Sequence, residues 1–404
     1  MTEGRWRCAV TILLLILVAH SCWLAYEFPS WSCEQLYLKQ ADAFLNGRLN
    51  IDARDLDTVA FEGKLYVPYP PSPSLAYVPL VVVFGAHIAV AYAFCSLLTV
   101  ANVINLDAIG RQLGIDTADR WWLAIAFFFG TGYWFCLIYS YSAAYNSHII
   151  VVTFLLAAIR ESQRRARGWV LGLFFGMLCT TRPMTIFALP FLITAIWCRH
   201  RRGDRPTSLP WEFVAFGAAA TPFLITTLFF NHFRFNDAFE TGYSLTGGYD
   251  RRYGLFSLVY LPRSLYYMLL HGFTLNRHDV SEFWLNKLGT SLPHASPYLA
   301  LVFFVSLRKP LVAAAWASAI PCGLAICMCA YVGSLQYNCQ RYAFDFLPLL
   351  FFVAMIGFRS RSDAAEMRLW KTLICWAAGL NVFCFSIVPL VSPWWKGIVS
   401  TFTR

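Results

Sequence analysis

The sequence predicts an all-α polytopic membrane protein of about eleven transmembrane helices, built as a single transmembrane domain over residues 1–404. Three observations lead to that class. The chain is 58% hydrophobic, 17% aromatic and only 13% charged, a composition outside the range of water-soluble domains. Apolar runs of crossing length recur from one end to the other. Lys and Arg gather in alternate segments between those runs, so the net charge of +10 reads as orientation in a bilayer and not as affinity for nucleic acid.

Taken in order, the first run, 8–26, follows Arg5 and Arg7. It is too long for a signal-peptide core and has no small-residue cleavage site, so it reads as a retained span. Segment 27–85 is the first outer loop and holds seven of the twenty-two carboxylates: Glu27, Glu34, Asp42, Asp52, Asp55, Asp57 and Glu62. Within it, 34–49 spaces Leu38, Ala41, Leu45 and Leu49 along one side, as in an amphipathic helix lying at the membrane interface. Glu34 starts that helix, where the dipole favours a carboxylate. Asp42 is about 12 Å further along the axis, too far for a close dyad. Pro68, Pro70, Pro71 and Pro73 then forbid helix, so the chain runs as an extended strap until a new helix starts at Ser74.

Further spans are expected at 87–109, 121–140, 143–160, 211–230, 311–333, 343–358 and 369–391, with shorter ones at 168–181, 184–198 and 295–307. The pair 168–181 and 184–198 is joined by TTRP and has arginines at both far ends, so both ends face one side. Segment 231–294 is a second outer segment. Its stretch 254–273 is long enough to cross, but a crossing there would put the basic RSRSDAAEMRLWK outside; it reads as an interfacial helix with Pro262 and Arg263 at the headgroups. With the N-terminus cytoplasmic and the C-terminus extracytoplasmic, eighteen of the thirty-two Lys and Arg fall in short inner loops, as the positive-inside rule requires. No internal repeat is evident.

The thirteen cysteines lie mostly inside apolar runs, where Cys acts as a small hydrophobe; Cys33 and Cys339 are the pair that outer loops bring to one side, able to meet in a disulfide. No Gly-rich nucleotide loop is present. No ligand spacing demands a metal or other cofactor, although the loop carboxylates have the chemistry to hold a divalent ion. Arg182 in TTRP and Arg341 in NCQRY stand at outer ends of spans, where they either bind phosphate or snorkel to the interface. Asp345, four residues after Arg341, is placed to neutralise it on one helix face. Lys64 is a loop cation suited to phosphate. His20, His87 and His148 read as packing residues, and Tyr243, Tyr249, Arg251 and Arg252 as either pocket or solvated loop.

One stretch resembles a known family. CEQLYLKQADAFLNGRL, then GKLYVPYPPSP and an apolar run closing at Phe84 and Gly85, is similar to the first periplasmic loop of the GT-C class of integral-membrane glycosyltransferases. The likeness is to the bacterial branch related to aminoarabinose and mannosyl transferases, in which an acidic pair opens the helix and a Tyr-x-x-Lys-Pro-Pro strap follows. Glu34, Tyr37, Gly47, Tyr66, Pro70 and Pro71 match; Cys33 replaces the first acid and Tyr69 the lysine. Later in the chain the likeness extends to TTRP, FNDAFETGY and LQYNCQRYAFDFLP.

The resemblance implies an inverting enzyme on the outer face of the cytoplasmic membrane that moves a sugar from a polyprenyl-phosphate donor to an envelope glycan, lipid or protein acceptor. Glu34 would be the catalytic base, with Glu27, Asp55 and Asp57 as alternatives because of Cys33. Lys64, Arg182 and Arg341 would face the donor phosphate, and Tyr37, Tyr66, Tyr69 and Tyr243 would line the substrate pocket. Two other classes compete. A secondary transporter or lipid flippase would show mid-membrane charges in two repeated halves. A polysaccharide polymerase or ligase would rely on Arg251, Arg252, His271 and His278 instead.

Overall fold

The computed structural model describes residues 19, 35–52, 54, 57–203, 208–246, 249–272, 289–330, 339–361 and 363–384. The expected first span, apart from residue 19, and Glu27, Glu34, Asp55, Cys33 and His278 lie outside them. The described chain is mostly helical. It runs α1 (Leu36–Leu45), a hairpin of β1 (Val59–Phe61) and β2 (Lys64–Tyr66), α2 (Ser72–Phe84), α3 (Ile88–Gln112), α4 (Thr117–Phe128), α5 (Tyr133–Ile138), α6 (Ala143–Arg164), α7 (Gly168–Cys179), α8 (Leu189–Arg201) and α9 (Leu209–Phe235). Beyond α9 come α10 (Leu261–Leu269), α11 (Leu292–Ala295), α12 (Pro310–Cys327), α13 (Leu347–Arg359) and α14 (Ala364–Val382). Four of these, α3, α6, α9 and α12, are long and apolar enough to cross a membrane, and α2, α7 and α13 are shorter apolar helices.

Several expectations are corrected. Helix α2 begins at Ser72, not Ser74, because a helix tolerates proline in its first turn, where no N–H is needed. The segment before the strap is a β-hairpin whose turn residues Glu62 and Gly63 both have positive φ, 48° and 76°, as a two-residue turn demands. Span 121–140 is broken between α4 and α5 at the Gly130-Thr131-Gly132 corner. The carbonyl groups freed there are not orphaned: Ser296 Oγ donates to Gly130 O at 2.5 Å and Tyr298 Oη to Ala126 O at 2.6 Å. In segment 254–272 a 3-10 turn (Leu258–Tyr260) leads into the nine-residue α10, shorter than the ~20 residues a crossing requires. Segment 297–304 is a 3-10 helix. Helix α9 continues to Phe235, five residues past the expected end of that run at 230. His87 is a cap, its Nδ1 accepting from Ala89 N at 3.2 Å at the start of α3.

One core, drawn from α3 to α8 and α12 to α14, holds the bundle together. The closest approach is between α7 and α9. Gly168, Gly172 and Gly176 repeat every fourth residue on the contact face, and a Cβ added to the first two would fall 2.0 Å from Glu212 O and 2.1 Å from Phe216 O. Small residues at that spacing let two backbones touch where lipid gives no hydrophobic drive to association. The opposite side of α9, including Trp211, Val214, Ile225, Phe229 and Phe233, is exposed and apolar, as a lipid-facing surface must be.

Candidate functional site

The site is assembled from residues far apart in the chain: Tyr37, Asp57 and Tyr69 before α2, Ser147 in α6, Arg182 after α7, Tyr243 after α9, and 341–345. Helix α1 is docked by its polar side chains: buried Gln35 donates through Nε2 to Tyr141 O at 2.7 Å, and Ser74 Oγ of α2 donates to Gln40 Oε1 at 2.5 Å. This turns Tyr37, 2% exposed, inward. Its phenol is within electrostatic reach of Arg182 and Asp57.

The strap 67–71 carries Tyr69 over the same point. Its ring lies 5.5 Å from that of Tyr37 and 6.1 Å from that of Tyr243, spacings at which aromatic rings attract one another. Its hydroxyl donates to Asp57 Oδ2 at 2.6 Å. Asp57 itself is exposed, so the tyrosines form a half-buried floor with a carboxylate at the rim.

Beneath them stands Arg182. Its Nε donates to Asp345 Oδ1 at 2.5 Å, its guanidinium lies 5.2 Å from the Tyr342 ring centre, and Nη1 reaches Ser147 Oγ at 3.4 Å. The Asp345 side chain is fully buried, and its Oδ2 has no hydrogen-bond partner among the described residues. Arg341 is next to this pair: Nη1 donates to Ala144 O at 2.7 Å and Nη2 to Tyr342 Oη at 3.2 Å, with the rings of Tyr145 and Tyr342 at 4.8 and 4.5 Å. His148 Nε2 is 3.4 Å from the same Nη1, its ring held against Tyr342 and Phe344.

Asp345 is bonded directly to Arg182, and Arg341, the partner the sequence suggested, also acts on it electrostatically. Residues 341–345 form a 3-10 helix, whose three residues per turn take positions i and i+4 off a common face.

An apolar cavity of about 320 Å³ is lined by Leu75, Phe94, Phe154 and Phe223, with Ser72 and Thr181 at its polar edge. Thr181 directly precedes Arg182, and Ser72 Oγ is 2.5 Å from Thr180 Oγ1. The walls come from α2, α3, α6, α7 and α9, so the cavity lies between helices that also frame the tyrosine floor.

Burial pushes the phenols of Tyr37, Tyr69 and Tyr243 above the usual tyrosine range; Asp57 adds to the rise at each, while Arg182 opposes it at Tyr37 and Tyr243. All three are therefore neutral hydroxyl groups at physiological pH, able both to donate and to accept.

Of the residues expected in the site, Asp57, Arg182, Arg341, Tyr37, Tyr69 and Tyr243 meet here. Tyr66 does not: it packs on Phe235 at 5.4 Å. Lys64 sits exposed beside the hairpin turn, paired in register with Phe61. Cys339 is buried against Gly132. Exposed Arg252 is bound to Asp250 at 2.6 Å, and His271 packs on Tyr267 at 4.8 Å. Among the described residues no group of three His, Cys, Asp or Glu is arranged to hold a metal ion. Sequence reasoning missed Tyr342, Ser147 and Arg234. The first lies next to Arg341 and was legible from that neighbour; the other two are reached only through tertiary contacts.

No known protein family, characterised protein or solved structure matches this chain.

Proposed function

We propose that the protein is a GT-C-like glycosyltransferase of about eleven spans that moves a sugar from a polyprenyl-phosphate donor to an envelope acceptor on the outer face of the cytoplasmic membrane. One observation carries this reading: Arg182, held by buried Asp345 under three tyrosines, follows directly on Thr181 at the edge of an apolar cavity. A phosphate joined to a hydrocarbon chain needs that combination of a fixed guanidinium and an adjoining apolar space.

In the proposed reaction the acceptor hydroxyl gives its proton to a carboxylate and its oxygen bonds to the anomeric carbon. The bond from that carbon to the phosphate oxygen breaks, and the lipid phosphate leaves with the electron pair. Arg182 and Arg341 stabilise the charge on the leaving phosphate. Stacking of the sugar on Tyr69 and Tyr243 orients it. Asp57 is the carboxylate best supported as base, because Tyr69 holds one of its oxygens at 2.6 Å and leaves the other for the acceptor.

The test is transfer from a panel of radiolabelled polyprenyl-phosphate sugars to envelope lipid extract by purified protein, comparing wild type with Asp57→Asn and Glu34→Gln. Turnover that falls about 100-fold or more in Asp57→Asn alone supports the assignment. Loss in Glu34→Gln alone moves the base to Glu34. Absence of turnover with every donor overturns the transferase reading.

A further inference from the structure

Arg234 takes no part in the arginine pair described above, yet its side chain is 2% exposed at the outer end of α9, and among the described residues no carboxylate forms an ion pair with it. Glu240 acts on it only through space, so the buried charge is costly, and an apolar residue of similar size would be cheaper. Its bonds say what it does. Nε donates to Phe230 O at 3.3 Å and Nη2 to Asn231 Oδ1 at 2.8 Å, both within its own helix. The rings of Phe230 and Phe235 cover it at 3.8 and 4.6 Å. These contacts fix the plane of the guanidinium. The bond that leaves the helix runs from Nη1 to the carbonyl oxygen of Val67, two residues before Tyr69.

The strap explains why a cation is used. Pro68, Pro70 and Pro71 have no N–H, so three of the five strap residues can be held through the backbone only at their carbonyl groups, and a regular ladder cannot form here. A guanidinium supplies several donors in one rigid plane. Secondary contacts flank the bond: Tyr66 packs on Phe235, Asn236 Nδ2 donates to Glu62 Oε1 at 2.9 Å, and a Cβ at Gly242 would lie 2.8 Å from Phe235 Cζ and 3.2 Å from Pro68 Cβ.

We propose that Arg234 is a positioning residue: by holding the Val67 carbonyl it fixes the proline strap, and with it Tyr69 and Asp57, over Arg182. The functional half of this inference rests on the transferase reading given above; the mechanical half does not. Since Arg234 holds the reacting groups and not the lipid phosphate, its loss lowers kcat and leaves KM for the donor nearly unchanged.

The experiment uses the full-length protein in detergent and compares wild type, Arg234→Lys and Arg234→Met by amide hydrogen exchange over residues 64–69, by thermal unfolding, and by steady-state kinetics with the donor that wild type uses. The expected result is a folded protein in which exchange at the β2 amides next to the held carbonyl, Lys64 to Tyr66, accelerates at least about 10-fold, kcat falls about 100-fold, and KM moves less than about threefold. Unchanged exchange in both variants overturns the clamp. Accelerated exchange with wild-type kcat, or a loss confined to KM, overturns the positioning role. If wild type turns over no donor, the transferase reading has failed while exchange still decides the clamp. Should Arg234→Met not fold, Arg234→Lys and Asn231→Ala, which frees one side of the guanidinium, carry the same comparison.

Discussion

Arg182 and Asp345 are the residues whose removal separates structure from chemistry. Arg182→Ala strands a buried carboxylate, and breaking such a pair costs about 3–5 kcal/mol. Arg182→Met combined with Asp345→Leu removes both charges and is expected to regain stability to within about 1 kcal/mol of wild type, while transfer stays abolished. Thermal unfolding and the transfer assay on the single and double variants check this. A double variant that regained activity as well as stability would show the guanidinium to be structural. The tyrosines give a pH prediction. Their folded pKa values lie above the unfolded value, so the unfolded chain loses protons first as pH rises past ~10; stability contributed below that pH falls by about 1.4 kcal/mol per pH unit for each such tyrosine until the folded group also ionises. Unfolding measured from pH 8 to 11 should show the fall begin near pH 10 and become shallower in Tyr37→Phe. At this scale residue type singled out the arginines and the family resemblance the tyrosines, but the direct bond of Asp345 to Arg182 was not foreseen, because a 3-10 turn cannot be told from an α-helical one by composition.

Among the elements, α7 and α9 make the sharpest prediction. With Phe216 O 2.1 Å from the place of a Gly172 Cβ, Gly172→Ala forces the two backbones apart. The expected cost is about 1–3 kcal/mol for one methyl group, seen as a lower unfolding temperature in detergent, and Gly172→Leu should fail to fold. The repeat Gly168, Gly172, Gly176 was present in the sequence, yet which helix it would meet was not, since the stripe states only that some backbone comes close. Helix α2 carries a second prediction. Ala76 faces the apolar cavity, so Ala76→Phe fills it and should raise KM for a lipid-linked donor about 10-fold or more with little change in kcat. An unchanged KM would remove the cavity from the lipid's path. The hairpin 59–66 escaped sequence reading because Glu62 at its turn is a rare occupant of positive φ, whereas the Asn-Gly or Asp-Gly pair that announces such turns is missing.

For the molecule as a whole, the hairpin and strap before α2 meet the end of α9 and the residue after it, joined by Asn236 to Glu62 and by Arg234 to Val67. The turn after α8 belongs to the arginine-rich side. Gly63, at the hairpin turn, and Gly203, after α8, are both exposed with open space around them. Cysteines placed there singly, in a background stripped of reactive thiols, should be labelled by an impermeant maleimide from opposite faces of sealed vesicles. Labelling from one face would invalidate the proposed orientation.

By itself the sequence determined the membrane-type composition, the starts of the four long apolar helices to within two residues but their ends only to within six, and the presence of an acidic, proline-broken segment between the first two runs. These are local properties, set by hydropathy and by what proline forbids. Only the tertiary structure decided that the strap from the first outer segment lies on the end of α9, that Tyr37, Tyr69 and Tyr243 converge over Arg182, and that Asp345 comes from more than a hundred and fifty residues away to neutralise it. Each is a contact across long sequence separation, fixed by how helices pack and by where buried donors find acceptors. No periodicity along the chain records either.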